Sequence, residues 1–162
     1  MKLSDGVEWG LHCATLLSFV PEGQTLPAAR LAEYHAVPGA YLAKHLQALS
    51  RAGIVDTVPG ARGGYRLARS PAEISLLEVV EALDGTESAF RCTEIRRRGP
   101  TAVSAREYRF PCAIHAVMDR ADAAWREQLA AVSISDIVTM LGESAPSSAL
   151  EKGSHWFQEV LR

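Results

Sequence analysis

Cysteine is scarce in this chain, with three in 162 residues, at positions 13, 92 and 112. That number does not make a disulfide framework, and in a reducing cytosol the thiols stay free. No run of 18 apolar residues occurs, which excludes a transmembrane helix. The N-terminus carries Asp5 and Glu8 and shows no cleavage signature, so no signal peptide is expected and the chain reads as cytoplasmic. There is no internal repeat. There is no phosphate loop, no nucleophile–base constellation and no histidine–acid motif on a catalytic scaffold, so the chain does not read as an enzyme. Net charge is also small, at -2. By composition the whole protein is not a polyanion binder.

The distribution of charge says more than its sum. Residues 24–70 hold six basic side chains (Arg30, Lys44, Arg51, Arg62, Arg66, Arg69) against two acids (Glu33, Asp56). The rest of the chain is acidic on balance. Positive charge therefore collects in one segment, as a DNA-facing surface requires.

That segment has a legible pattern. Helical apolar spacing runs through residues 4–19 and 27–34. After the turn Val37-Pro38-Gly39, a third helix is predicted over 40–52, with Leu42, Leu46 and Leu49 inward and Gly53 as its stop. Two β-prone runs, Ile54–Val58 and Tyr65–Leu67, flank a Gly-rich loop carrying Arg62, Gly63 and Gly64. Helix, turn, helix, strand, cationic tip and strand together predict a winged helix-turn-helix. The third helix would enter the major groove, with Gly39, Tyr41, Lys44 and His45 as candidate contacts, Gly39 through its backbone and Tyr41 otherwise packing inward. Arg62 would enter a narrow minor groove.

The remainder divides into an irregular loop, residues 86–112, a long helix, 113–141, and a linker with a short terminal helix, 142–162. Ile114, Val117, Ala121, Trp125 and Leu129 form an apolar stripe on the long helix. A long helix outside a small winged core (residues 1–85) has little of its own chain to pack on, so it is read as a dimerisation helix. The fold class expected is mainly α, with a two-stranded wing and that long C-terminal helix. A two-fold dimer presents two recognition helices, so the operator should be double-stranded DNA with an inverted repeat.

On the first helix Glu8 and His12 stand four residues apart, which places both on one face. Ser4 reads as its side-chain cap. Gly6 and Gly10 are costly inside a helix, by about 1 kcal/mol each, and would make sense if room were needed near a site.

Several stretches resemble a known family: Ala32-Glu33, Tyr41-Leu42, Leu46-Gln-Ala-Leu49, Ala52-Gly53-Ile-Val55, Gly63-Gly64-Tyr65-Arg-Leu67 and Ile74-Ser-Leu-Leu-Glu-Val-Val80. Over about residues 1–130 the chain is similar to the winged-helix transcription regulators that include IscR, NsrR and RsrR. The opening Met1-Lys-Leu-Ser4, with Val7-Glu-Trp9, Leu11-His-Cys13 and Cys92-Thr-Glu-Ile-Arg96, most resembles the branch of the redox regulator RsrR. The resemblance implies a homodimer and, in many members, a [2Fe-2S] cluster as sensor.

The usual cluster-binding members carry three cysteines close together in the loop before the dimerisation helix. This chain has Cys92 and Cys112 there, with Tyr108 between them and no middle cysteine. A [2Fe-2S] centre takes four protein ligands. The resemblance implies that the first helix approaches the loop of the partner subunit, so Glu8 and His12 could complete the set. His115, close behind Cys112, and Cys13 are competing donors. A site of two thiolates, one carboxylate and one imidazole is less negative than a four-cysteine site and more negative than a two-histidine one, and its potential should lie between them. Trp9, next to Glu8, could relay a ligand movement into helix packing. The alternative is a regulator of the same family with no cofactor, responding to thiol oxidation or a protein partner.

Overall fold

The computed structural model describes residues 3–60 and 63–161. Seven α-helices and one hairpin follow in the order α1 (Asp5–Leu17), α2 (Ala28–His35), α3 (Gly39–Arg51), β1 (Val55–Val58), β2 (Gly64–Leu67), α4 (Leu76–Asp84), α5 (Ala113–Ala130), α6 (Ile134–Ser144) and α7 (Ser147–Val160), with short 3-10 turns at Pro71–Glu73 and Ile95–Arg97.

The winged head is built as its sequence pattern predicts. Leu31, Leu42, Leu46 and Leu49 are fully buried against Cys13, Leu17, Ile54 and Val79. Each such side chain contributes about 1.5–3 kcal/mol relative to leaving it in water. The strands pair antiparallel, with Val55 opposite Leu67 and Val58 opposite Gly64. Leu26 adds a single bridge to Tyr65. A side chain at Gly64 would collide with the Leu26 carbonyl at 2.4 Å, and one at Gly63 with the Val58 carbonyl at 2.2 Å. Both wing glycines are therefore accounted for by close backbone approach.

Several local expectations are corrected. The Ser4 side chain does not cap α1. Its backbone N–H and hydroxyl both donate to the Asp84 carboxylate, tying the start of α1 to the end of α4. Gly6 and Gly10 make room for packing rather than for a site. A Cβ at Gly6 would stand 2.3 Å from the His45 ring, and one at Gly10 would stand 2.3 Å from Leu83 Cδ1.

Residues 113–141 are two helices, not one. The break lies at Ala131–Ser133. Ser133 and Asp136 form a reciprocal capping box that starts α6. Ser133 also bridges to Ser75, and Ile134 N–H donates to the Ile74 carbonyl at 2.9 Å. Ile134 is fully buried, so α6 folds back onto the head. The stretch expected to be a linker is mostly helical: α6 runs to Ser144, and only Ala145 and Pro146 separate it from α7, whose fourteen residues exceed the short helix expected.

α5 is held to α4 through Arg126, which pairs with Glu81 and Asp122 and donates to the Thr86 carbonyl. Its other face leaves Ile114, Val117 and Met118 exposed, at 65%, 53% and 38%.

Candidate metal centre and nucleic-acid interface

α3, the helix expected to read DNA, begins after Pro38, which is placed before its first turn, where the missing N–H costs nothing. Tyr41 is 60% exposed, and so does not pack inward. Lys44 lies over its ring at 5.6 Å. Gly39 opens the helix and is exposed as well. These three stand together at the start of α3. His45 does not join them. Its ring packs on the Gly6 backbone and meets Trp9 edge-on at 5.8 Å. The i,i+4 step from Tyr41 to His45 puts both near one face, but the approach of α1 claims the second. Arg62, the expected wing tip, lies outside the described residues.

Glu8 and His12 do share one face of α1, and both are exposed. They line a cavity of about 200 Å³ with Trp9, His35 and Val37. His35 comes from the end of α2 and its ring lies 5.5 Å from His12. Burial, and then the neighbouring His12, push the His35 ring below its ordinary pKa, opposed by the His12 backbone carbonyl. Its Nε2 is buried with no hydrogen-bond partner. The sequence offered no signal for His35, because its neighbours in space come from another helix. Trp9 lines the cavity and also touches His45 of α3.

Cys13 is fully buried in the core, and burial pushes its thiol up to about 12. It is not among the residues lining the Glu8 and His12 cavity.

Cys92 and Cys112 are brought together across the twenty-residue loop. Cys112 occupies the cap position of α5. Backbone N–H groups of His115 and Ile114, a hydrogen bond with Cys92 and the charge of Arg96 hold its thiol below the usual value, against the opposing effect of burial. Orphan amides at a helix start favour an anion. Cys92 Sγ accepts from the Glu94 N–H at 3.4 Å. His115 follows on α5, with Nε2 3.3 Å from Asp119 and a buried Nδ1 that has no partner.

Arg96 organises this loop. Its guanidinium pairs with Glu94 at 2.7 Å, donates to the Phe110 carbonyl at 2.9 Å and stacks 4.6 Å over the Tyr108 ring. Tyr108 returns a hydrogen bond to the Arg96 carbonyl at 2.6 Å. In sequence, Arg96-Arg-Arg98 reads as a solvated charge run, or as a contact to phosphate or to acids of a partner. In the fold its first member is a strut beside Cys112, and Tyr108 serves as the opposing plate.

The two groups of candidate ligands stay apart within one chain. Among the described residues, no three His, Cys, Asp or Glu side chains come together to hold a metal ion. Two thiols with amide donors suit iron, and the carboxylate and imidazole of Glu8 and His12 suit it too. The donor set fits a [2Fe-2S] cluster in chemistry, but a single chain does not assemble it.

Comparison with known proteins agrees with this architecture. The model of the Rrf2 family, described as iron-dependent transcriptional regulators, matches residues 3–140. The HTH-type transcriptional regulator NsrR of Shouchella clausii (strain KSM-K16) is 25% identical over 138 residues, covering 85% of this chain and 89% of that one. CymR, the global cysteine regulator of B. subtilis, superposes with a TM-score of 0.66 at 21% identity, covering 86% of this chain and 98% of CymR. IscR of T. potens superposes with a TM-score of 0.67 at 21% identity, over 90% and 92%. These relatives are regulators rather than enzymes. With a family match over most of its length and the winged fold to go with it, this chain belongs to the Rrf2 family of DNA-binding transcriptional regulators.

Proposed function

We propose that the protein works as a cytoplasmic homodimer that senses redox state through a [2Fe-2S] cluster at each of two sites between subunits. Cys92 and Cys112 of one chain and Glu8 and His12 of the partner subunit would hold it. One observation carries the reading. The two thiols meet at the start of α5, Glu8 and His12 share a cavity on α1, and neither group finds its complement among the described residues of its own chain. The exposed Ile114, Val117 and Met118 on α5 are the apolar surface that would bring a second chain there. When bound, the cluster supplies a one-electron change of charge.

The chain's own residues supply the route to DNA. Glu8 and His12 lie on the helix that also carries Trp9 and Gly6, and both of these touch His45 of α3. A shift of α1 is therefore felt by the recognition helix, as a change in population between head arrangements. The operator would be an inverted repeat with half-sites about one helical turn apart or a multiple of that.

The test mixes subunits. A Cys92→Ala/Cys112→Ala chain paired with a Glu8→Ala/His12→Ala chain should regain one coloured site per dimer, while each parent homodimer has none. A colourless mixed dimer, with heterodimer formation verified, removes the shared site. The proximity of the Cys92 and Cys112 thiols favours one other reading, a regulator without cofactor that responds to thiol oxidation or a protein partner. Wild-type protein purified without oxygen would then be colourless rather than reddish-brown.

A further inference from the structure

α7 lies beyond residue 140, where the family match ends. Its inward side is aromatic. Trp156 meets Tyr34 of α2 edge-on, with ring centroids 4.7 Å apart, and Phe157 lies 6.2 Å from Phe19. Tyr34 meets His35 at 5.0 Å, and His35 lies 5.5 Å from His12. Four rings in sequence thus run from the C-terminal helix to the wall of the Glu8 and His12 cavity. The helix sits close: a Cβ at Gly153 would stand 3.3 Å from the Tyr34 hydroxyl. On one side the His35 ring faces the His12 backbone carbonyl, while its Nε2 is buried without a partner. Tyr34 also packs against that ring, edge-on. Edge-on aromatic contacts prefer particular geometries, so a ring held this way has few orientations open to it.

We propose that Trp156 of α7 is a positioning residue: acting through Tyr34 and His35, it holds the His12 imidazole in one orientation. The ring contacts stand by themselves, while the consequence for iron rests on the reading that His12 is a ligand. Groups behind a ligand orient it, and losing one commonly weakens metal binding about 10–100-fold. The C-terminal helix would then tune how firmly the sensor is held while leaving the DNA-reading residues Tyr41 and Lys44 untouched.

The test uses full-length protein carrying Trp156→Ala, Trp156→Phe or Gly153→Ala, with Leu150→Ala as control. Leu150 is on the same helix and 47% exposed. The first readout is the imidazole carbon–proton NMR spectrum of cluster-free protein at one fixed pH, assigned with His12→Gln and His35→Gln. Trp156→Ala should move both the His12 and the His35 signals, Trp156→Phe should restore them in large part, and Leu150→Ala should leave them in place. Gly153→Ala crowds Tyr34 while raising helix propensity, and it should also move both signals. It decides between the outcomes if Trp156→Ala does not fold. Unmoved His12 and His35 signals in folded variants overturn the proposal. The second readout is cluster loss to a chelator, expected about tenfold faster in Trp156→Ala. Loss at the wild-type rate overturns the positioning role. If the histidine signals move but neither wild type nor variant takes up a cluster, the ring coupling stands and the cluster-based function falls.

Discussion

At the scale of single residues, two positions show how context changes meaning. Cys13 and Cys112 are both free thiols, but one sits in the apolar core and the other at a helix start. The first is pushed up to about 12 by burial, and the second is held below the usual value, chiefly by backbone N–H groups. The thiolate is the reactive form. Native cluster-free protein treated with iodoacetamide at pH 8 should therefore be alkylated at Cys112, while Cys13 reacts only after unfolding. Peptide mass spectrometry reads the difference. Gly6 is the second case. A methyl group there meets the His45 ring at 2.3 Å, so Gly6→Ala should destabilise the head by about 1–3 kcal/mol through overpacking, despite the gain in helix propensity. Urea denaturation measures it, and an unchanged midpoint would show that α1 and α3 can separate without cost.

At the scale of elements, the junction between α5 and α6 decides where the C-terminal third of the chain goes. Ser133 and Asp136 cap α6 reciprocally, and the backbone N–H and then the hydroxyl of Ser133 hold the Asp136 carboxyl below its ordinary value. Ser133→Ala should cost about 0.5–2 kcal/mol of stability. The pH dependence has a definite sign. Asp136 is depressed in the folded state, so its stabilisation is present above its unfolded pKa and is lost as pH falls through the lower folded value. In Asp136→Asn that acid-dependent part should be absent, and the wild-type and variant stability curves should converge at low pH. The alternation of apolar and polar residues made α1 to α4 and the hairpin legible. The break at Ala131–Ser133 was harder to see. Ser133 with Asp136 is a capping signal in sequence, but apolar spacing continues across it through Ala130, Ile134 and Ile137. What stops one continuous helix is the bond from Ile134 to Ile74, a contact sixty residues away in sequence.

At the scale of the whole molecule, charge and geometry meet on DNA. Lys44 is exposed beside Tyr41 at the start of α3. Lys44→Ala should weaken operator binding and, if Lys44 meets a phosphate, reduce the salt slope by about 1. If Arg62 enters the minor groove, as the sequence leads one to expect, Arg62→Ala should also weaken binding and soften its salt dependence. Fluorescence anisotropy across a salt series measures both. Unchanged affinity and slope in both variants would remove α3 and the wing from the DNA interface. His45→Ala serves as a contrast, because His45 packs on α1. Its effect should appear in stability before it appears in the salt slope.

The sequence by itself determined the winged head. Leu42, Leu46 and Leu49 recur at helical spacing, Gly53 stops the helix, and a glycine-rich loop between two β-prone runs marks the hairpin. These are local rules of period and turn, and they act between near neighbours in the chain. The sequence also placed Glu8 and His12 on one face, since four residues of helix return nearly to the same side. Only the tertiary structure decided which way His45 points, because α1 competes with solvent for that face of α3. It alone brought Cys92 to Cys112, made Arg96 and Tyr108 the frame of their loop, and set His35 against His12 with α7 behind it. Each of these joins residues from separate elements, and no spacing rule links groups whose proximity is created by the folding of everything between them.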